Sequence, residues 1–125
     1  MDVLYYAHPM CTYGTIAEQF ELQSIRSQFQ RARIVNPARY EGHPEKLRDT
    51  VGFCLRLVEK SDVVVFSRLM GKVTAGVGKE VNHAIRLGRP VFELVGGRLK
   101  KRRSTTKYIS RAATIRLYRR WRRRL

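Results

Sequence analysis

Acidic residues are scarce in this chain, with ten Asp and Glu against 26 Lys and Arg among 125 residues, a net charge of +16. Cysteine is scarcer still. Cys11 and Cys54 stand far apart and neither belongs to a CxxC pair, which excludes a disulfide scaffold and a thiolate zinc site. Long apolar runs are lacking too, and nothing approaches the roughly 20 residues that a membrane-spanning helix needs. The opening MDVLYYAHPM has no basic leader, and His8 and Pro9 interrupt its apolar stretch. It reads as a strand and loop rather than as a signal peptide. A cytoplasmic protein with no membrane partner is therefore expected. The chain also has no Walker motif, no GxGxxG after its first apolar run and no cluster of metal-ligand residues. Neither metal nor cofactor is expected.

The positive charge is unevenly placed. Residues 1–95 hold 13 Lys and Arg against 10 Asp and Glu, whereas residues 96–125 hold the other 13 Lys and Arg and no acid. Such asymmetry marks either an arm for a polyanion or a solvated helix face attached to a nearly neutral body. The chain accordingly divides into one domain over 1–95 and a strongly basic, largely helical extension over 96–125. With 43% hydrophobic residues, there is enough apolar side chain for one core.

Along the body, Asp2 to Ala7 reads as a first strand, and HPMCTYGT as a loop. Apolar residues from Ile16 to Phe29 recur at loosely helical spacing, and Arg33 to Val35 form a brief strand that ends at Asn36-Pro37. Leu47, Val51, Cys54 and Val58 make one stripe of a single amphipathic helix, which places Cys54 as a buried thiol. Val63-Val64-Val65-Phe66 lacks alternation, as expected of a strand covered on both faces. A third helix over about 79–87 and a fourth strand over 90–95 complete a β-α-β-α-β-α-β order. This order predicts a three-layer α/β domain of flavodoxin or Rossmann type, with four or five parallel strands. In the extension, Ser104 is placed to cap a last helix with Tyr108, Ala112, Ile115, Tyr118 and Trp121 along one side.

In such sheets, ligands bind beyond the carboxyl ends of the strands. The loop His8 to Thr15, Asn36-Pro37, the loop Ser67 to Gly78 and the start of the third helix meet there. Gly76 and Gly78 permit a tight turn and close approach to a ligand. Glu80 follows, one position off the inward stripe of Val77, Val81 and Ala84, where the helix dipole would keep it ionised. On the residues alone, an ordinary first-turn acid is the favoured reading. Backbone N–H groups at Gly14-Thr15, together with Ser67 and Arg68, could hold a 5'-phosphate. His83, three residues after Glu80, could face it, and Cys11 sits in the loop beside the expected pocket.

Three segments carry a resemblance: YYAHPM, SDVVVFSRL and TAGVGKEVNHAIRLGRPV. In this order and spacing, over residues 3–95, they resemble the nucleoside 2-deoxyribosyltransferase superfamily, which includes the 2'-deoxynucleoside 5'-monophosphate N-glycosidases. The resemblance implies that Glu80 is a nucleophile. It would attack the anomeric carbon, expel the base and leave a glycosyl-enzyme that water or a second base resolves with retention. It further implies that Asp62 handles the base, that Tyr6 and His8 lie near the nucleoside, and that a homo-oligomer completes the pocket. Thr74 departs from the pattern, standing where the transferases carry an acid six residues before the nucleophile. Protonation of the leaving base then falls to Asp62, or the scaffold binds a nucleotide without turnover.

The extension interleaves cations with Tyr108, Tyr118 and Trp121, a composition suited to nucleic acid. Lys100, Lys101, Arg102, Arg103, Arg119, Arg120, Arg122 and Arg123 are its candidate phosphate contacts. An amphipathic helix docked on the sheet, with its arginines merely solvated, is the competing reading.

Overall fold

A computed structural model describes residues 2–124. Its strands are β1 (Val3–Ala7), β2 (Arg33–Val35), β3 (Val63–Phe66), β4 (Val91–Val95) and β5 (Arg98–Arg102). Its helices are α1 (Ile16–Gln28), α2 (Pro44–Arg48), α3 (Thr50–Glu59), α4 (Ala75–Arg86) and α5 (Arg111–Arg123). The sheet order is β2-β1-β3-β4-β5, parallel except for β5, which runs antiparallel to β4. This is the strand order of flavodoxin-type doubly wound sheets with a reversed last strand, and its direction changes between β1 and β3. None of the described helices is long and apolar enough to cross a membrane.

Strand alternation sorts the core into two layers. Tyr5, Ala7, Val64 and Phe66 face α3 and α4, packing with Phe53, Cys54, Val58, Val77 and Val81. Leu4, Tyr6, Val63 and Val65 face the other way, onto Leu22 and Ile25 of α1 and Phe29 at its C-terminal cap. All four residues of β3 are buried, as its unbroken apolar run requires.

Three sequence expectations need correction. The stripe from Leu47 to Val58 belongs to two helices. Asp49 ends α2 at φ −151° and caps α3, accepting the Gly52 N–H at 3.0 Å. The break rotates α2, so Leu47 is 73% exposed while Lys46 turns inward at 3%, and Val51 in the first turn of α3 is 44% exposed.

The boundary at residue 95 does not separate body from tail. Gly96 and Gly97, at φ +56° and +77°, form the two-residue turn that joins β4 to β5 in a hairpin. Five residues of the basic segment thus complete the sheet, Leu99 pairing with Leu94.

The last helix starts later than expected. Ser110 caps it, accepting the Ala113 N–H at 3.1 Å, and Tyr108 lies outside it. Its inward side is Thr114, Leu117 and Tyr118, with Ala112 and Ile115 exposed.

Candidate active site around Glu80

Helix α4 begins at Ala75, so Gly76 and Gly78 lie within its first turn and Glu80 in its second. Both glycines have ordinary helical backbones rather than the turn expected of them. Gly78 instead makes room, because a Cβ there would come within 2.3 Å of the Tyr108 ring. Gly76 is exposed with open space around its Cα.

Glu80 retains some solvent contact as a residue, but its carboxyl sits among Tyr5 of β1, Cys54 of α3 and Lys46 of α2. Burial pushes the carboxyl up to about 8, against the opposing pull of Tyr5, Lys46 and Cys54. The helix dipole is thus not the governing influence: desolvation outweighs it beyond the first turn. At neutral pH the resting carboxyl is mostly protonated.

The Tyr5 hydroxyl is fully buried and, among the described residues, is the one buried side-chain polar atom without a hydrogen-bond partner. It lies near enough to Glu80 and Cys54 for both to raise its pKa, after burial itself. Tyr13 is likewise raised by burial and then by Glu80. Lys46 reaches into this cluster from below the Tyr13 ring, 5.2 Å from its centroid. Its Nζ donates to the Pro37 carbonyl at 2.9 Å and pairs with Glu41. Burial raises the Cys54 thiol to about 11, which keeps it protonated.

The basic extension forms the roof. Ile109 N–H donates to the Val73 carbonyl at 3.0 Å, and Asn82 exchanges two hydrogen bonds with the Thr106 backbone, at 2.8 and 3.0 Å. Ala75 N–H donates to Thr114 Oγ1 at 3.0 Å, and Met10 N–H to Tyr118 Oη at 3.1 Å. Thr74 is 1% exposed beneath this helix. Cys11 lies beside Arg122, but burial still lifts its thiol to about 11, so it is not a ready nucleophile.

The other expected residues are distributed elsewhere. Asp62 sits at the amino edge of the sheet, where its carboxylate accepts the Val3 N–H at 2.8 Å and its own N–H donates to the Val3 carbonyl. The length of β3 separates it from the carboxyl edge, so it does not join Glu80. Tyr6 and His8 fall on the α1 side. The Tyr6 hydroxyl donates to Glu21 at 2.5 Å, and its ring stacks on His8 at 3.7 Å. His8 Nε2 meets Glu18 at 2.7 Å and Nδ1 meets the Tyr6 carbonyl at 3.1 Å, while burial draws the imidazole below its ordinary pKa. One-residue parity decides this: Tyr5, not Tyr6, shares a face with Glu80.

Gly14 and Thr15 are already engaged with an acid. Thr15 Oγ1 caps α1 by accepting the Glu18 N–H at 3.4 Å, and Gly14 N–H donates to Glu18 at 3.3 Å. A carboxylate thus occupies the place expected for a phosphate. Asn36 caps the turn that follows β2, accepting the Ala38 N–H at 2.9 Å. Ser67 donates to Glu21 at 2.8 Å. Arg68 pairs with Glu93 at 2.8 Å, and Arg102 joins the same carboxylate at 2.9 Å. Burial alone would raise Glu93, but the two guanidiniums hold it below its ordinary value. His83 turns to Glu59 at 3.0 Å rather than to Glu80.

Sequence reasoning missed Tyr5, Tyr13, Lys46, Glu41 and Tyr118. The signal for Tyr5 was strand parity, and the T-x-x-E of residues 15–18 signalled a capping box. Nothing local foretold a lysine turned inward. A cleft of about 540 Å³ opens beside β2, lined by Leu22, Arg26, Phe29, Asn36 and Arg39 among others. It takes in Asn36 but not Glu80, and no reactive group is buried in it. No described group of three or more His, Cys, Asp and Glu stands together to hold a metal ion.

No family model matches the chain, and neither a curated protein nor a solved structure matches it.

Proposed function

We propose that this protein cleaves or transfers the N-glycosidic bond of a nucleoside or nucleotide, with Glu80 as nucleophile. The carrying observation is the juxtaposition of a desolvated Glu80 with the unpartnered, buried Tyr5 hydroxyl at the carboxyl edge of β1. A carboxylate with little competing solvation is suited to trapping an oxocarbenium-like carbon. In this reading, Glu80 forms an ester to the anomeric carbon as the bond to the base breaks. Water or an acceptor base then attacks the same carbon, and the glutamate leaves. Once Glu80 ionises, the free Tyr5 hydroxyl donates to the carboxylate and orients it. Lys46 favours its ionised form, and its charge stabilises an electron-rich leaving base.

With Asp62 at the opposite edge, the departing base needs another proton source. The Lys46 ammonium, held by the Pro37 carbonyl and by Glu41, is the proton-bearing group of the cluster that fits this role. The resemblance also favours an assembled homo-oligomer, although the roof over Glu80 comes here from the same chain.

A second reading is a nucleotide-binding module without turnover. Thr74, buried where the resembled transferases have an acid, favours it. Incubation with ribo- and deoxyribonucleosides and their 5'-monophosphates, with and without an acceptor base, separates the two. Wild-type protein is expected to release free base, increasingly as pH rises through about 8 and Glu80 ionises. Glu80→Ala should release none. Ligand binding without release by the wild type would replace the enzyme reading with the binding module.

A further inference from the structure

We infer that the outer face of α5 is a binding surface for the phosphate backbone of nucleic acid. Arg116, Arg119, Arg120 and Arg123 recur at i, i+3, i+4 and i+7, so they form one ridge along the helix. All four are exposed, and among the described residues none forms an ion pair. Like charges at these spacings repel, and no acid occurs from residue 96 onward to relieve them. Lysine or arginine in a last helical turn is favourable with the dipole, but Arg116 lies in the middle of α5, where that benefit has faded. A ridge of uncompensated guanidiniums is complementary to a regular row of phosphates, each guanidinium offering a forked pair of donors.

The opposite side of the helix decides between polyanions. Thr114 and Leu117 are buried and Tyr118 is bonded to Met10, so the apolar face of α5 is spent on the domain. An anionic bilayer would need that face for insertion. Nucleic acid needs only the cationic one. The docked helix also presents its arginines on a rigid support, which lowers the entropy lost on binding. Thus α5 both covers the Glu80 cluster and carries the contact surface.

The test uses the full chain and fluorescence anisotropy with duplex DNA, duplex RNA and single-stranded oligonucleotides of equal length. Vesicles of mixed anionic and neutral phospholipid provide a comparison. Four phosphate contacts imply that affinity for a duplex falls about a hundredfold between 50 and 200 mM salt. The combined Arg116→Ala, Arg119→Ala, Arg120→Ala and Arg123→Ala variant, with its folding checked by thermal unfolding, should lose most binding and most of that salt dependence. Lysine at the same four positions should keep the salt dependence with weaker affinity. Glu80→Gln should bind like wild type, which keeps this inference separate from the glycosidic one. The preferred oligonucleotide identifies the source of the phosphates. Equal binding by the alanine variant, binding to vesicles alone, or no oligonucleotide binding at 50 mM salt would each overturn the inference.

Discussion

Thr114 Oγ1 of the last helix accepts the backbone N–H of Ala75, at 3.0 Å, and so caps the helix that carries Glu80. Thr74, the residue at the usual capping position, makes no side-chain cap of its own. The basic extension is thus bound into the site at the place where the charge pattern had suggested a separate tail.

Thr114→Ala leaves the Ala75 N–H without its acceptor in a buried setting. Loss of a cap costs about 1 kcal/mol, and the expected result is an unfolding free energy lower by that amount, read from a reduced urea midpoint at unchanged slope. An unchanged midpoint would mean that Thr114 contributes nothing to holding α5 on α4.

Glu80 makes stability depend on pH in a defined direction. Its folded-state carboxyl, at about 8, lies above the ordinary 4.5, so the folded protein keeps a proton that the unfolded chain releases. Stability from this group is complete below pH 4.5 and is lost as pH rises toward 8. Glu80→Gln cannot ionise and should escape that loss. Its melting temperature should increasingly exceed the wild-type value across this interval, and parallel curves would show that the carboxyl is not desolvated.

Tyr5→Phe removes a hydroxyl that is buried and unpartnered. An unsatisfied buried polar group costs about 1–3 kcal/mol, so the variant should unfold at higher denaturant. Base release should fall in the same variant, because the ionised Glu80 carboxylate then lacks the hydroxyl that stands ready to donate to it. A less stable Tyr5→Phe protein would show that the hydroxyl is satisfied in solution.

Asp62→Asn tests the opposite edge of the sheet. The side chain bonds the Val3 backbone and is remote from Glu80, so base release should persist near the wild-type rate while stability drops slightly. Loss of release in a folded Asp62→Asn protein would contradict the placement of the site at the carboxyl edge alone.

Much of this molecule was legible from local pattern. The unbroken apolar run of β3, the alternation of short strands with helices and the inward stripe of α4 each encode burial directly. They led to a parallel three-layer α/β sheet with Glu80 at its carboxyl edge, although the structure reverses the fifth strand. What local pattern left open was decided by tertiary contacts. Tyr5 and Tyr6 are chemically alike, and only strand parity against α3 and α4 puts one of them beside Glu80. Lys46 reads as a surface residue until the break at Asp49 turns α2 inward. The arginine-rich extension reads equally as an arm for a polyanion and as a docked amphipathic helix, because charge dominates its composition. Yet four of its uncharged residues, Leu99, Thr114, Leu117 and Tyr118, place one strand in the sheet and one helix over the site. Composition averages over a segment, whereas packing is settled by the few side chains that find complementary partners across the chain.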